Sequence, residues 1–251
     1  MKKINLNLQK NKKAYFAGDF HLGKPNDYDS NIREKYIVKW LEYIESDAQE
    51  IFLMGDVFDF WFEYKKTVPK GYVRLLGKLA NMSDNKINIH YFVGNHDMWT
   101  INYFESLGIK VYHNPYEFKI NDLIFLIGHG DGLGKGDQGF KFLKRIFRNK
   151  IVQKLFRIIH PDIGISLGNY LSRKKNKNIN NKSSIINDDR IFNYCKDMET
   201  NNHHDVYIFG HSHKVSERKI NEKSKYYNMG EWISSSNYLV TDCKTFRINK
   251  F

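Results

Sequence analysis

The chain has 251 residues, 41% of them apolar and 15% aromatic, with a formal net charge of +12. That length and apolar content are those of one medium globular domain, and they exclude a disordered or collagenous chain. Two cysteines, Cys195 and Cys243, are far apart and unpatterned, so no disulfide framework is expected, and a packing role in a reducing compartment is.

Along the chain, the basic start Met1 to Lys13 has no apolar run of secretory type behind it, so export is not expected, nor is a spanning helix anywhere. Then one pattern recurs: a short apolar run, a Gly, and a residue type that binds metal. Ala14-Tyr15-Phe16-Ala17 leads into Gly18-Asp19-Phe20-His21, and Ile51 to Met54 leads into Gly55-Asp56. Ile89 to Val93 leads into Gly94-Asn95-His96-Asp97, Leu123 to Ile127 into Gly128-His129-Gly130-Asp131, and Val206 to Phe209 into Gly210-His211-Ser212-His213. Runs this short, rich in Ile, Val, Phe and Tyr, predict buried strands. Between them Ile37, Trp40, Leu41 and Ile44 mark one helix face, and Leu75, Leu76 and Leu79 another.

Alternating strands and helices predict α/β layering, where functional groups gather at the carboxyl ends of strands. The later runs at Tyr226-Tyr227, Tyr238-Leu239-Val240 and Phe246-Arg247-Ile248 predict further strands, as in the second sheet of a sandwich. Five of the ten histidines fall in the strand-end motifs, with Asp19, Asp56 and Asn95. His90, His113, His160, His203 and His204 are assigned to core or surface. A structural zinc site favours Cys and needs four ligands; here the mixed His, carboxylate and amide set is too large for one ion.

From Gln138 to Ile186 there are twelve Lys and Arg residues against one acid, Asp162, so this insertion-like stretch carries nearly all the net charge. Within it Leu143, Ile146, Phe147, Ile151, Leu155, Ile158 and Ile159 recur at helical steps, with Pro161 as a break. Such a stripe suits either a packed face or a surface that meets anionic lipid. Ser172 to Asn187, mainly Lys, Asn and Ser, is expected to be a loop.

Asp19-x-His21, Gly55-Asp56, Gly94-Asn95-His96-Asp97, Gly128-His129 and Gly210-His211-x-His213, in that order, resemble the calcineurin-like metallophosphoesterase superfamily. The run Gly55 to Phe62, Gly94 to Trp99, and His129-Gly130-Asp131-Gly132-Leu133-Gly134 with Asp137 look like its UDP-2,3-diacylglucosamine diphosphatase branch. The resemblance implies a four-layer αββα sandwich over residues 1–251, with an inserted basic helical lid at 138–187. It implies two ions, taken as Mn(II) with Fe or Zn as alternatives: one held by Asp19, His21, Asp56 and His213, the other by Asp56, Asn95, His129 and His211. His96 is expected beside the attacked phosphorus, with Asp97 fixing its tautomer and Asn95 completing the reacting group. Substrate contacts are expected from Asn95, His96, Asp137, Lys141, Arg145 and His211. Asp131 is expected either beside these or in support of a ligand.

The implied reaction is hydrolysis of a lipid A precursor at its α-phosphorus to UMP and 2,3-diacylglucosamine 1-phosphate. The implied setting is the cytoplasmic face of the inner membrane, with peripheral contact, an anionic glycolipid substrate, no nucleic acid and no obligate protein partner. The rival is another binuclear metallophosphoesterase that acts on nucleotides or nucleic acid. Against it stands the lid's aliphatic helical stripe, where a single-strand channel would use aromatic platforms.

Overall fold

Alternate side chains of each central strand enter different cores, and this period of two builds the layers. The computed structural model describes residues 3–175 and 181–251. Met1, Lys2 and Lys177 therefore lie outside the described residues. Strand β1 (Lys3–Leu6) precedes β2 (Lys13–Ala17), α1 (Asp27–Ile44), β3 (Ala48–Leu53), α2 (Val73–Asp84) and β4 (Asn88–Phe92). A short α3 (Tyr103–Ser106) leads to β5 (Lys110–Tyr112), β6 (Tyr116–Ile120) and β7 (Leu123–Gly128). Four helices follow: α4 (Gln138–Phe147), α5 (Lys150–Phe156), α6 (Pro161–Lys175) and α7 (Asn181–Glu199). The chain closes with β8 (Val206–Phe209), β9 (Val215–Lys219), β10 (Lys225–Met229), β11 (Asn237–Thr241) and β12 (Phe246–Lys250).

The strands form two six-stranded sheets, ordered β12-β11-β2-β3-β4-β5 and β1-β6-β7-β8-β10-β9. Tyr15 and Ala17 join Ile37, Trp40, Leu41, Leu75 and Leu79 in a core under α1 and α2. Their neighbours Ala14 and Phe16 turn to the other face and meet Phe118, Phe125, Ile127 and Ile208 between the sheets. Leu126, Tyr207 and Phe209 of the second sheet pack on Ile191, Phe192 and Cys195 of α7. The result is the expected αββα sandwich. Helix α1 starts where Asn26 accepts the amide of Asp29, and Asp27 and Asp29 in its first turn suit the positive end of the dipole.

All five predicted strand-end runs are strands. Only β10 of the three later runs joins the second sheet; β11 and β12 extend the first beyond β2. The reason is pairing: Leu239 to Thr241 lie antiparallel along Ala14 to Phe16, and β12 pairs with β11. The expected loop at Ser172 to Asn187 is also corrected, since α6 continues to Lys175 and α7 begins at Asn181. Tertiary packing decides this, because the second half of α7 buries Ile191, Phe192 and Cys195. The stripe from Leu143 to Ile159 is likewise divided: Leu143, Ile146 and Phe147 lie in α4, Ile151 and Leu155 in α5, where Asn149 accepts the amide of Ile151, and Ile158 and Ile159 follow the end of α5.

Candidate metal centre

The carboxyl ends of β2, β3, β4, β7 and β8 meet across both sheets. Tight turns bring them there. Gly55 has φ +89°, and a Cβ on Gly94 would stand 2.1 Å from Asp56 Oδ1, so only glycine lets the backbone pass. Asp19, His21, Asp56, His211 and His213 all have positive φ, between 45° and 67°. Strained backbone at five non-glycine positions persists only where the surroundings over-determine it, and such strain gathers at functional sites.

His213 Nε2 lies 3.3 Å from Asp19 Oδ1 and 3.0 Å from His21 Nε2. His129 Nε2 lies 3.3 Å from Asp56 Oδ2, which is 3.9 Å from His21 Nε2. The predicted ligands form two donor groups, Asp19, His21 and His213, and Asp56, His129 and His211, with the donor atoms of each within 4.8 Å of one another; His21, Asp59 and His96 make a third group within the same distance. Asp56, between the imidazoles of both groups, offers two oxygens. Asp19 Oδ1, Asn95 Oδ1 and His129 Nε2 are buried without a hydrogen-bond partner. Orphaned buried polar atoms are costly. These stand on three of the strand ends, and their carboxylate, imidazole and amide types suit a first-row divalent cation. The residues fit such a cation.

The titration pattern reports the same field. Burial would drive His129 down, but Asp56, Asp19 and Asp131 hold it up at about 10. Burial lowers His211 to about 4, with the charge of His129 opposing its protonation. Burial raises Asp56, yet the surrounding imidazoles, His129 first, keep it well below the usual carboxylate range.

His96 reaches the same space, its ring 4.9 Å from that of His21. Its amide donates to Asp56 Oδ1 at 2.8 Å. The expectation that Asp97 fixes the His96 tautomer is not met. Asp97 accepts the amides of Gly94 and Val57 and the hydroxyl of Tyr91, so it shapes the backbone that carries Asn95 and His96. Burial and the charge of Asp56 raise Asp97 to about 6, against the lowering effect of its bonds from Tyr91 and Gly94. His96 Nδ1 instead meets Ser172 Oγ at 2.7 Å and the Asp59 carbonyl at 3.0 Å. The Ser172 hydroxyl donates to that same carbonyl, so it accepts from Nδ1–H and leaves Nε2 as the unengaged nitrogen.

Two residues near the centre escaped the sequence reading. Asp59, fully buried with both carboxylate oxygens unpartnered, stands 3.5 Å from His21 Nδ1 and from His96 Nδ1. Its signal was an acid three residues after Asp56. Ser172 was hidden in the expected loop. Asp131 is buried and paired with Lys144 at 2.5 Å.

Beside Asn95 and His96 opens a cleft of about 550 Å³. Phe60, Trp99, Leu143, Phe147, Phe156 and Leu171 make its walls apolar. Trp99 Nε1 donates to the Phe147 carbonyl at 2.7 Å and ties the wall to α4. Residues Phe140, Leu143, Lys144 and Phe147 form the helix face that lines it. The structure does not bring Lys141 or Arg145 to this cleft: Lys141 donates to the Gly134 carbonyl, and Arg145 is exposed. Asp137 stands at the N-terminal boundary of α4 without a side-chain capping bond and pairs with Arg190 at 3.2 Å, also away from the cleft lining.

The calcineurin-like phosphoesterase family model matches residues 12–215. The UDP-2,3-diacylglucosamine hydrolase of Porphyromonas gingivalis is 32% identical over 93% of this chain and 95% of its own length. The hydrolases of that name from Haemophilus ducreyi and Haemophilus influenzae are 26% and 23% identical, over 80% and 88% of this chain and 83% and 91% of their own. A strand-end set of Asp, His and Asn donors on an αββα sandwich, matched over most of its length, is that of a metal-dependent hydrolase, and the chain belongs to the calcineurin-like phosphoesterase family, in the branch that contains these hydrolases.

Proposed function

We propose that this chain hydrolyses the diphosphate of UDP-2,3-diacylglucosamine at the α-phosphorus, giving UMP and 2,3-diacylglucosamine 1-phosphate. The observation that carries the reading is continuity: the donor cluster opens through Asn95 and His96 into an apolar cleft of about 550 Å³, a hydrolytic centre joined to a chamber for acyl chains. The names of the relatives supply the head group.

In this reading Asp19, His21, Asp56 and His213 would hold one ion, and Asp56, Asn95, His129 and His211 the other. When bound, two divalent ions, Mn(II) by family resemblance, would polarise phosphoryl oxygens and lower the pKa of a water near neutrality. The chain's own work is orientation. His96 donates its Nδ1–H to Ser172 and presents Nε2 to the phosphoryl group; as the imidazolium, protonated on both nitrogens, it would steady a non-bridging oxygen through Nε2–H or pass that proton to the leaving group. Asp97 holds the turn that sets this distance.

Segment 138–187 acts as the lid. Phe140, Leu143 and Phe147 face inward, while Ile151, Leu155 and Ile158 are exposed among Lys150 and Lys154. An apolar stripe edged by cations favours peripheral contact with an anionic membrane surface, in this reading the cytoplasmic face of the inner membrane. Among the described residues no helix is long and apolar enough to cross a membrane.

The test is product analysis by mass spectrometry after turnover of UDP-2,3-diacylglucosamine in heavy-oxygen water. Label in UMP supports attack at the α-phosphorus, and label in the lipid phosphate moves the attack to the β-phosphorus. No turnover, with hydrolysis of soluble nucleotide diesters, would return the reading to a nucleotide phosphodiesterase.

A further inference from the structure

The strand-end cluster has a cleft on each side, and one ammonium belongs to both. The apolar cleft touches the cluster at Asn95 and His96; a second cleft, of about 210 Å³, touches it at His129 and Asp131. Lys144 lines both, and among the described residues no other Lys or Arg lines either. Its Nζ donates to the Asp131 carbonyl at 2.9 Å and meets Asp131 Oδ2 at 2.5 Å. An ammonium has three N–H donors, so these contacts leave one for the space that the side chain lines. The Lys144 and Asp131 side chains are only 17% and 5% exposed. Neither charge would be stable here alone, and each fixes the position of the other.

A substrate with two linked phosphoryl groups brings one to the donor cluster and leaves the second, still anionic, one bridging oxygen away. The clefts on either side offer that second group a single fixed cation. We infer that Lys144 binds the phosphoryl group that is not attacked, with Asp131 as its positioning residue, and that this contact makes the site select diphosphates over single phosphodiesters. The inference rests on the hydrolase reading above and deepens it. It also gives the lid a polar task, since α4 presents Phe140, Leu143 and Phe147 to the apolar cleft and Lys144 to the phosphate from the same face.

The test uses the full, metal-loaded chain as wild type, Lys144→Gln, Lys144→Arg, and the double variant Asp131→Asn with Lys144→Gln, which strands no buried carboxylate. Calorimetry would compare inorganic pyrophosphate with inorganic phosphate. Kinetics would compare UDP-2,3-diacylglucosamine with bis(p-nitrophenyl) phosphate, which has one phosphoryl group. Lys144→Gln should weaken pyrophosphate about tenfold or more, and raise KM for the diphosphate lipid in parallel. Phosphate binding and kcat/KM on the single diester should stay within about threefold. Lys144→Arg should recover part of the loss, and the double variant should match Lys144→Gln. Equal losses on one and two phosphoryl groups, or unchanged pyrophosphate binding, would overturn the assignment. A wild type that does not cleave the lipid, but whose preference for pyrophosphate still depends on Lys144, would sink the substrate reading and leave the assignment standing.

Discussion

The strand-end cluster and the inserted helices are built by opposite rules. Asp19, Asp56, His21 and His129 are buried and reached from both sheets, so each is placed by several elements at once. Helices α4 and α5 bury no residue fully, and the exposed Ile158 retains 80% of its accessibility. A buried polar site has one arrangement that satisfies it. An amphipathic helix has a choice of partners, and only the fold or a surface selects among them. Substitutions should therefore act on chemistry in the first region, and on where and what the protein binds in the second.

The largest expected effect comes from Asp56→Ala. It removes the carboxylate that stands between the two donor groups and also the acceptor of the His96 amide. Turnover should vanish at every Mn(II) concentration, measured alongside metal content. Recovery to near the wild-type rate at high Mn(II) would show that the two groups do not depend on a shared ligand.

His96→Ala should follow, lowering kcat by roughly 10²-fold with KM little changed. Metal content should stay intact, because Nδ1 is occupied by Ser172 and not by the donor cluster. Ser172→Ala should show a smaller loss in the same parameter, since it frees the ring without removing it. A fall in metal occupancy for either variant would place His96 among the ligands.

What could be read in the sequence follows the same division. The five strand ends were legible because Gly followed by a donor residue recurs at the carboxyl ends of β2, β3, β4, β7 and β8, and the geometry demands that glycine at positions such as Gly55 and Gly94. The partner of His96 was not legible, since Ser172 comes from a helix 76 residues away whose composition reads as loop. Asp97, adjacent in sequence, turns the other way to hold Gly94 and Val57. In the lid, periodicity gave the apolar face but not its neighbours. It led to Lys141 and Arg145 as substrate contacts and passed over Lys144, yet docking of α4 beside Asp131 half-buries Lys144 and leaves Arg145 exposed.

The second region is tested by its exposed cations. Lys150→Gln with Lys154→Gln keeps helix propensity and the apolar stripe, and removes two charges worth about 1 kcal/mol each beside an anionic surface. Sedimentation with anionic vesicles should weaken roughly 30-fold or less, with a shallower salt dependence. Hydrolysis of a small soluble diester should not change. Unchanged vesicle binding would leave α5 without a membrane role.

The smallest expected effect concerns a polar cluster that the protein closes by itself. Glu199 accepts from His203 at 2.6 Å, the His204 amide at 2.9 Å, Tyr207 at 2.7 Å and Ser224 at 2.9 Å. Unlike Asp19 or Asn95, its oxygens are not orphaned, so this cluster has no vacancy for a ligand and should serve stability alone. Burial opposes the charge, but the His203 bond and the other donors hold Glu199 at about 2, below its ordinary 4.5. A carboxyl depressed on folding stabilises the native state fully above 4.5, and that contribution fades as pH falls toward 2. Solvent screening at this partly exposed site limits it to about 1 kcal/mol, or a Tm change of roughly 2–4 °C in a chain of this size. Glu199→Gln should therefore lower Tm by that amount at neutral pH and lose the difference from wild type near pH 2 to 3, while kcat at neutral pH stays the same. A Tm difference that persists undiminished into acid would mean that the side-chain bonds and not the charge do the holding; a loss of kcat would show that this cluster, like the strand ends, reaches the chemistry.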